Sequence, residues 1–142
     1  MASFNTGATE VPLWIDSKAA AGTVTEGAVL KYFSSGDFDL VTPATTFTDA
    51  PMGIARHACA SGDRVSVLRA GRAVVAATPG ATITNGLPAM VTSGGTGQVE
   101  TWAFKASGLG TYAIGQIDGS TRTANSSGEV IAVAVNFYRI QP

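Results

Sequence analysis

In the stretch RVSVLRAGRAVVAA, residues 64–77, apolar and polar positions alternate and then give way to a run of small apolar side chains. A period of two puts Val65 and Val67 on one face of a strand and Arg64 and Ser66 on the other. The alternation breaks at Leu68 and Arg69. Gly71 follows, and glycine most cheaply takes the positive backbone angle of a β-bulge or a sharp change of strand direction. From Ala73 to Ala77 the side chains are small enough for another layer to approach closely.

The same signal recurs down the chain from Thr23. AVLKYF (28–33) ends at SSGD, FDLV (38–41) runs into Pro43, and PMGIARHA (51–58) stops at SGD. ATIT precedes Asn85-Gly86, PAMVT precedes SGGTG, VETWAFKA precedes SGLG, and TYAIGQID precedes Gly119. EVIAVAVNFYRI (129–140) closes the series. No segment longer than a few residues keeps a helical period free of Gly, Pro and β-branched clusters. The expected fold is all-β, a small barrel or sandwich of short strands that forms one domain over 24–142.

Residues 1–23 follow another pattern, with isolated large apolar side chains among small polar ones: Phe4, Val11, Leu13, Trp14 and Ile15. A disordered tail lacks such aromatics. The segment therefore reads as an extended N-terminal arm whose apolar residues bind the domain's own body or a neighbouring molecule. Within it, DSKAAAG (16–22) has the makings of a single helical turn, capped by Asp16 and stopped by Gly22. At the other end of the chain, Ile131, Val133, Val135 and Phe137 form one face of the last strand, while Val130, Ala132, Ala134, Asn136, Tyr138 and Ile140 form the other. Both faces are largely apolar, whereas a half-exposed strand shows a polar one. Either the strand is central, or a neighbouring subunit covers its second face. The subunit reading is favoured, with Ala132, Ala134 and Tyr138 in the interface beside the basic pair Arg69 and Arg72.

Charge supports a covered surface. Nine Lys plus Arg against ten Asp plus Glu leave a net charge of −1, and charged residues are only 13% of the chain, against roughly 25% in an ordinary soluble domain. The basic residues are scattered, so no nucleic-acid footprint is expected. Cys59 is the single cysteine, which excludes an intrachain disulfide and a cysteine-rich zinc site and fits a reducing compartment. No apolar run long enough to cross a membrane and no signal-peptide pattern are present, so neither a membrane nor a secretory role is expected.

Candidate chemistry is sparse. His57 is the sole histidine, so a histidine metal cluster has no basis, and no G-x-S-x-G motif accompanies it. Cys59, two residues on and on the same face if the strand continues, has the spacing of an activated thiolate, but a small buried thiol is the simpler reading. Asp37 and Asp39 in SGDFDL lack the further carboxylates of a calcium loop and read as a solvated turn. TSGGTGQ (92–98) lacks the lysine and following helix of a phosphate loop and reads as a flexible connection. Asn125-Ser126-Ser127 matches a glycosylation acceptor without a secretory signal. Trp14, Trp102, Phe4, Tyr32, Phe33 and Phe104 suit a carbohydrate platform, although packing is the commoner use. No catalytic residue, cofactor or metal is expected.

The order of segments resembles the head decoration, or capsid cement, proteins of tailed bacteriophages. The matching elements are the G-I-A strand at Gly53 to Ala55, the G-D-x-V-x-V turn and strand at Gly62 to Val67, and the glycine-bearing continuation at Gly71 to Val75. N-G-x-P at Asn85 to Pro88 follows, then Ile114-Gly115, and finally Gly128 to Val135. The resemblance spans about residues 24–140. It implies a small non-enzymatic β-tulip-like domain, made in the host cytoplasm, that sits as a homotrimer on the outer surface of the expanded virion head. Its partner there is the major capsid protein, at three-fold positions, and it clamps the shell against internal DNA pressure. The same resemblance implies that the arm, with Phe4, Val11, Leu13, Trp14 and Ile15, contacts the capsid. Two rival expectations are another virion part, such as a tail-tube, fibre or receptor-binding domain, and a lone β-barrel enzyme or lectin.

Overall fold

The computed structural model describes residues 9–103, 111–119, 122–123 and 129–140. They form an all-β fold without a helix. The eleven described strands are β1 (Val11–Ala20), β2 (Val29–Tyr32), β3 (Leu40–Pro43), β4 (Gly53–Ala55), β5 (Arg64–Ala77), β6 (Thr82–Ile83), β7 (Pro88–Val91), β8 (Val99–Thr101), β9 (Thr111–Ile117), β10 (Arg122–Thr123) and β11 (Glu129–Ile140).

Nine of them make one sheet in the order β1-β3-β2-β4-β5-β11-β9-β7-β8, with the further pairings β1–β5 and β5–β8. These two pairings close the sheet twice, and both rings share β5. Its first part runs antiparallel to β1, from Ala19↔Arg64 to Val11↔Arg72, and touches β4 at Ile54↔Leu68. Its second part runs antiparallel to β11, from Val135↔Gly71 to Glu129↔Ala77, and meets β8 at Val99. Closure removes most of the open sheet edges that would otherwise recruit other chains. Strands β6 and β10 pair separately.

Two apolar cores follow from this arrangement. One collects Ala20, Val24, Leu30, Val41, Ala55 and Val67 among others, and the second collects Val75, Val99, Ile114, Ile117, Ile131 and Val133. Between them stand strands buried on both faces. The directly paired row Val29↔Ile54↔Leu68 faces the second core, while the neighbouring pair Ala55↔Val67 faces the first. That is why Val29-Leu30, Ile54-Ala55 and Val67-Leu68 are adjacent buried apolar residues rather than alternating ones. Each fully buried Val, Leu or Ile here contributes about 1.5–3 kcal/mol of transfer free energy.

The strand expected at 64–77 has those bounds, and so does the one at 129–140. FDLV starts later, at Leu40, because the Asp37 carboxylate accepts the N–H groups of Asp39 and Leu40 and holds the chain in a turn. The helical turn expected over 16–22 is absent. Asp16 to Ala20 are strand residues, because the β5 ladder satisfies backbone groups that one short helical turn leaves unpaired. Residues 11–20 of the arm thus lie along the domain's own β5. The glycine loop 92–98 is pinned rather than free: Gly97 O accepts from Val29 N and Gly94 N donates to Thr45 O.

Candidate functional site

Gly71 fixes how the first strand meets the body. Its φ is +114, and a Cβ there would stand 2.3 Å from Val11 O and 2.8 Å from Leu13 N. Only a residue without a side chain lets β1 run this close. Opposite it the β1 register shifts between Pro12 and Trp14 and again between Trp14 and Ile15. The result is an irregular strand with an apolar outer surface. Leu13 is 80% exposed, and Val11, Trp14 and Ile15 are exposed as well.

Register then carries this surface across the molecule. Val11 pairs with Arg72, Arg72 with Ala134, Ala134 with Gln116, and Gln116 with Pro88. Directly paired residues share a face, so one row crosses β1, β5, β11, β9 and β7 on the outside of the sheet. Two shallow grooves lie along it. One, of about 550 Å³, runs between Val11, Leu13, Ala70 and Asp118, and the other, of about 560 Å³, runs between Gly86, Pro88, Gln116, Asn136 and Tyr138. Ala134 and Val135 line both, so the two grooves adjoin there as the two ends of one trough.

The apolar end is braced by two arginines. Arg72 donates to Asp118 Oδ2 at 2.9 Å, to Asp118 O at 3.3 Å and to Thr9 O at 2.8 Å, which ties the start of β1 to the turn after β9. Arg69 donates to Met52 O at 3.2 Å, lies 3.6 Å from Asp16 Oδ2, and stacks with its Cζ 4.3 Å from the Trp14 ring centre. Arg56 holds Glu10 through its Nε and Nη2, the shortest contact being 2.7 Å, and Glu10 in turn raises the Arg56 pKa. The segment before and within β1 is therefore anchored by charge while its apolar side chains remain uncovered.

The residues singled out in the sequence divide clearly. Val11, Leu13, Arg72, Ala134 and Tyr138, expected at two different surfaces, share one trough. Trp14 and Ile15 are exposed beside it. Ala132 is a correction: it is 0% exposed within the single chain and has no surface to offer a subunit, because Val130 to Val133 are covered on both faces. Phe4, Phe104 and Asn125 to Ser127 lie outside the described residues. Gln116, Asn136 and Pro88 were missed. A polar residue such as Gln116 or Asn136 in a strand reads as ordinary solvated surface, Pro88 stands out only as part of a turn, and cross-strand register brings the three together.

Elsewhere the candidate chemistry resolves into structural contacts. His57 Nε2 accepts the Ser66 N–H at 3.0 Å, and its Nδ1 lies 3.0 Å from Ala58 O. Burial first, and then Asp63, push the Cys59 thiol up, opposite to thiolate activation. Asp39 accepts from Arg64 at 2.8 Å. Trp14 stacks under Arg69 and Tyr32 against Phe38, so these aromatics serve separate contacts rather than one platform. No cluster of three or more metal-ligating side chains occurs among the described residues.

Neither a protein-family model nor a curated protein sequence matches the chain. Among solved structures it is similar to the crystal structure of the head fiber gp8.5 N base in bacteriophage phi29. The TM-score is 0.59 at 17% sequence identity, over 87% of this chain and 93% of that one. The two chains share a fold. The likeness spans most of both chains.

Proposed function

We propose that this chain is a structural component of a bacteriophage head, a decoration protein that binds the outside of the expanded capsid as a homotrimer and stabilises it. The observation that carries this reading is the near full-length fold likeness to a head-fibre base, joined to the segment order described for the sequence. The apolar end of the trough suits the docking role. Val11, Leu13, Trp14 and Ile15 stand exposed on a strand already held in place, so burying Leu13 on the shell contributes about 1.5–3 kcal/mol and each of the half-exposed others roughly half as much, with little backbone ordering cost. Three copies on one symmetric site multiply a modest affinity per subunit. In this reading the protein binds and braces rather than catalyses.

The test is co-sedimentation with expanded shells that lack the protein, with unexpanded shells as control. Saturable binding to the expanded form in multiples of three copies per site is expected, weakened about tenfold or more in a Leu13→Asp/Trp14→Ala variant that keeps its melting temperature. Absence of binding to either shell overturns the proposal. The fold likeness also favours a second reading, the base of a head fibre. Image reconstruction separates the two, since a cement fills the three-fold positions uniformly and a fibre base carries a projecting stalk.

A further inference from the structure

We infer that the polar end of the trough is a binding site for a neutral saccharide. The inference is independent of the docking role, which uses the other end. Gln116 on β9 stands opposite Ala134, and on β11 Asn136 and Tyr138 follow Ala134 across a register shift that lies between Val135 and Tyr138. Gln116, Asn136 and Tyr138 line one groove together with Gly86 and Pro88. Gln116 Nε2 donates to Gly86 O at 3.0 Å, which fixes the amide and leaves Oε1 as an acceptor. Neither the Asn136 amide nor the Tyr138 hydroxyl has a hydrogen-bond partner among the described residues, and Tyr138 is 40% exposed.

Chemistry narrows the ligand. Among the described residues no charged side chain lines this groove, so the described lining offers phosphates, carboxylates and cations no countercharge. Two amides and a phenol offer both donors and acceptors, as do sugar hydroxyls, and a tyrosine ring accepts the C–H face of a pyranose. About 560 Å³ falls within the range of small-ligand sites. A peptide adding as a strand fits less well. The backbone of Ala134 and Val135 at the floor is already paired with β5 on one side and β9 on the other, so the groups on offer are side chains on a sheet face and not a free edge.

The experiment probes the full chain with an array of neutral oligosaccharides, glucose, galactose, mannose and N-acetylhexosamine types included, and quantifies hits by calorimetry. Saturable binding to a neutral class is expected, unchanged within about twofold from 0.05 to 0.5 M salt because no ion pair is made. Asn136→Ala and Tyr138→Ala each lower affinity about tenfold, Tyr138→Phe retains most of it, and Leu13→Asp leaves it unchanged. Circular dichroism melts confirm that the variants fold. No neutral binder on the array overturns the inference, and so does binding confined to sulfated or sialylated glycans with steep salt dependence. Sedimentation velocity covers the remaining case: a change of self-association in Tyr138→Ala, with glycan binding unaltered, assigns the groove to a subunit contact instead.

Discussion

Replacing Gly71 with alanine puts a methyl group where the backbone of β1 already lies, 2.3 Å from Val11 O and 2.8 Å from Leu13 N. Two costs add. An L residue at φ +114 costs about 1–3 kcal/mol of backbone strain. The first strand must also retreat from Arg72 and Gly71, and losing two or three ladder hydrogen bonds there costs about 0.5–1.5 kcal/mol each. The expected loss, about 3–5 kcal/mol, is a large share of the 5–15 kcal/mol that ordinary domains possess. Gly62→Ala isolates the first cost, since Gly62 has φ +90 with nothing within 4 Å of its added Cβ. Urea denaturation of both variants should show Gly71→Ala the weaker by about 2 kcal/mol, and amide exchange should show β1 opening in that variant alone. Equal destabilisation, or unchanged protection of the β1 amides, refutes the argument that close approach of two backbones demands this glycine.

Acid should weaken the fold through Asp49. Burial pushes its carboxyl up, but the Thr45 N–H at 2.9 Å, Lys31 at 3.0 Å and the Thr46 N–H at 3.2 Å outweigh burial and hold it below the usual carboxylate range. A depressed pKa contributes stability that is present above about pH 4 and lost as pH falls through the folded value. Asp49→Asn should lower stability at pH 7 and flatten the acid slope, and an unaltered slope in denaturation midpoints would contradict this. Arg72→Ala should cost about 1–2 kcal/mol, since the group is partly screened, with faster exchange confined to residues near Thr9 and Asp118; Arg72→Lys should not restore it, because one ammonium cannot span three acceptors.

The strands at 64–77 and 129–140 were legible because strong apolar patterning ends at unmistakable turn residues. The first strand was not. VPLWI is apolar without alternation, Pro12 interrupts it, and DSKAAAG has helical composition, so its state is decided by β5, a partner far away in sequence. Gly71 stood out in the sequence as a bulge or bend, but its purpose, a near collision with another strand, belongs to pairing and leaves no local trace. The site shows the same division. Val11, Leu13, Arg72, Ala134 and Tyr138 attracted notice one by one for apolarity or charge. Their union in one trough depends on the register Val11↔Arg72↔Ala134, which joins three strands from the two ends and the middle of the chain. Ala132 misled because a period of two assigns faces without saying which stretch of a long strand is covered.

The sharing of β5 by both rings has a consequence for how the molecule is made. Its small apolar second half, Ala73 to Ala77, finds its principal partner only when β11, the last described strand, has been synthesised. Until then a flat edge of Val and Ala residues is unpaired, the kind of segment that recruits neighbouring chains. Most strand pairings outside the β2–β3 and β7–β8 hairpins are long-range, and such topologies fold in milliseconds to seconds rather than microseconds. A nascent chain therefore passes through a sticky, incomplete state whose length is set by translation, and yield in the cell will respond to chaperone supply and growth temperature more sharply than the stability of the finished protein suggests.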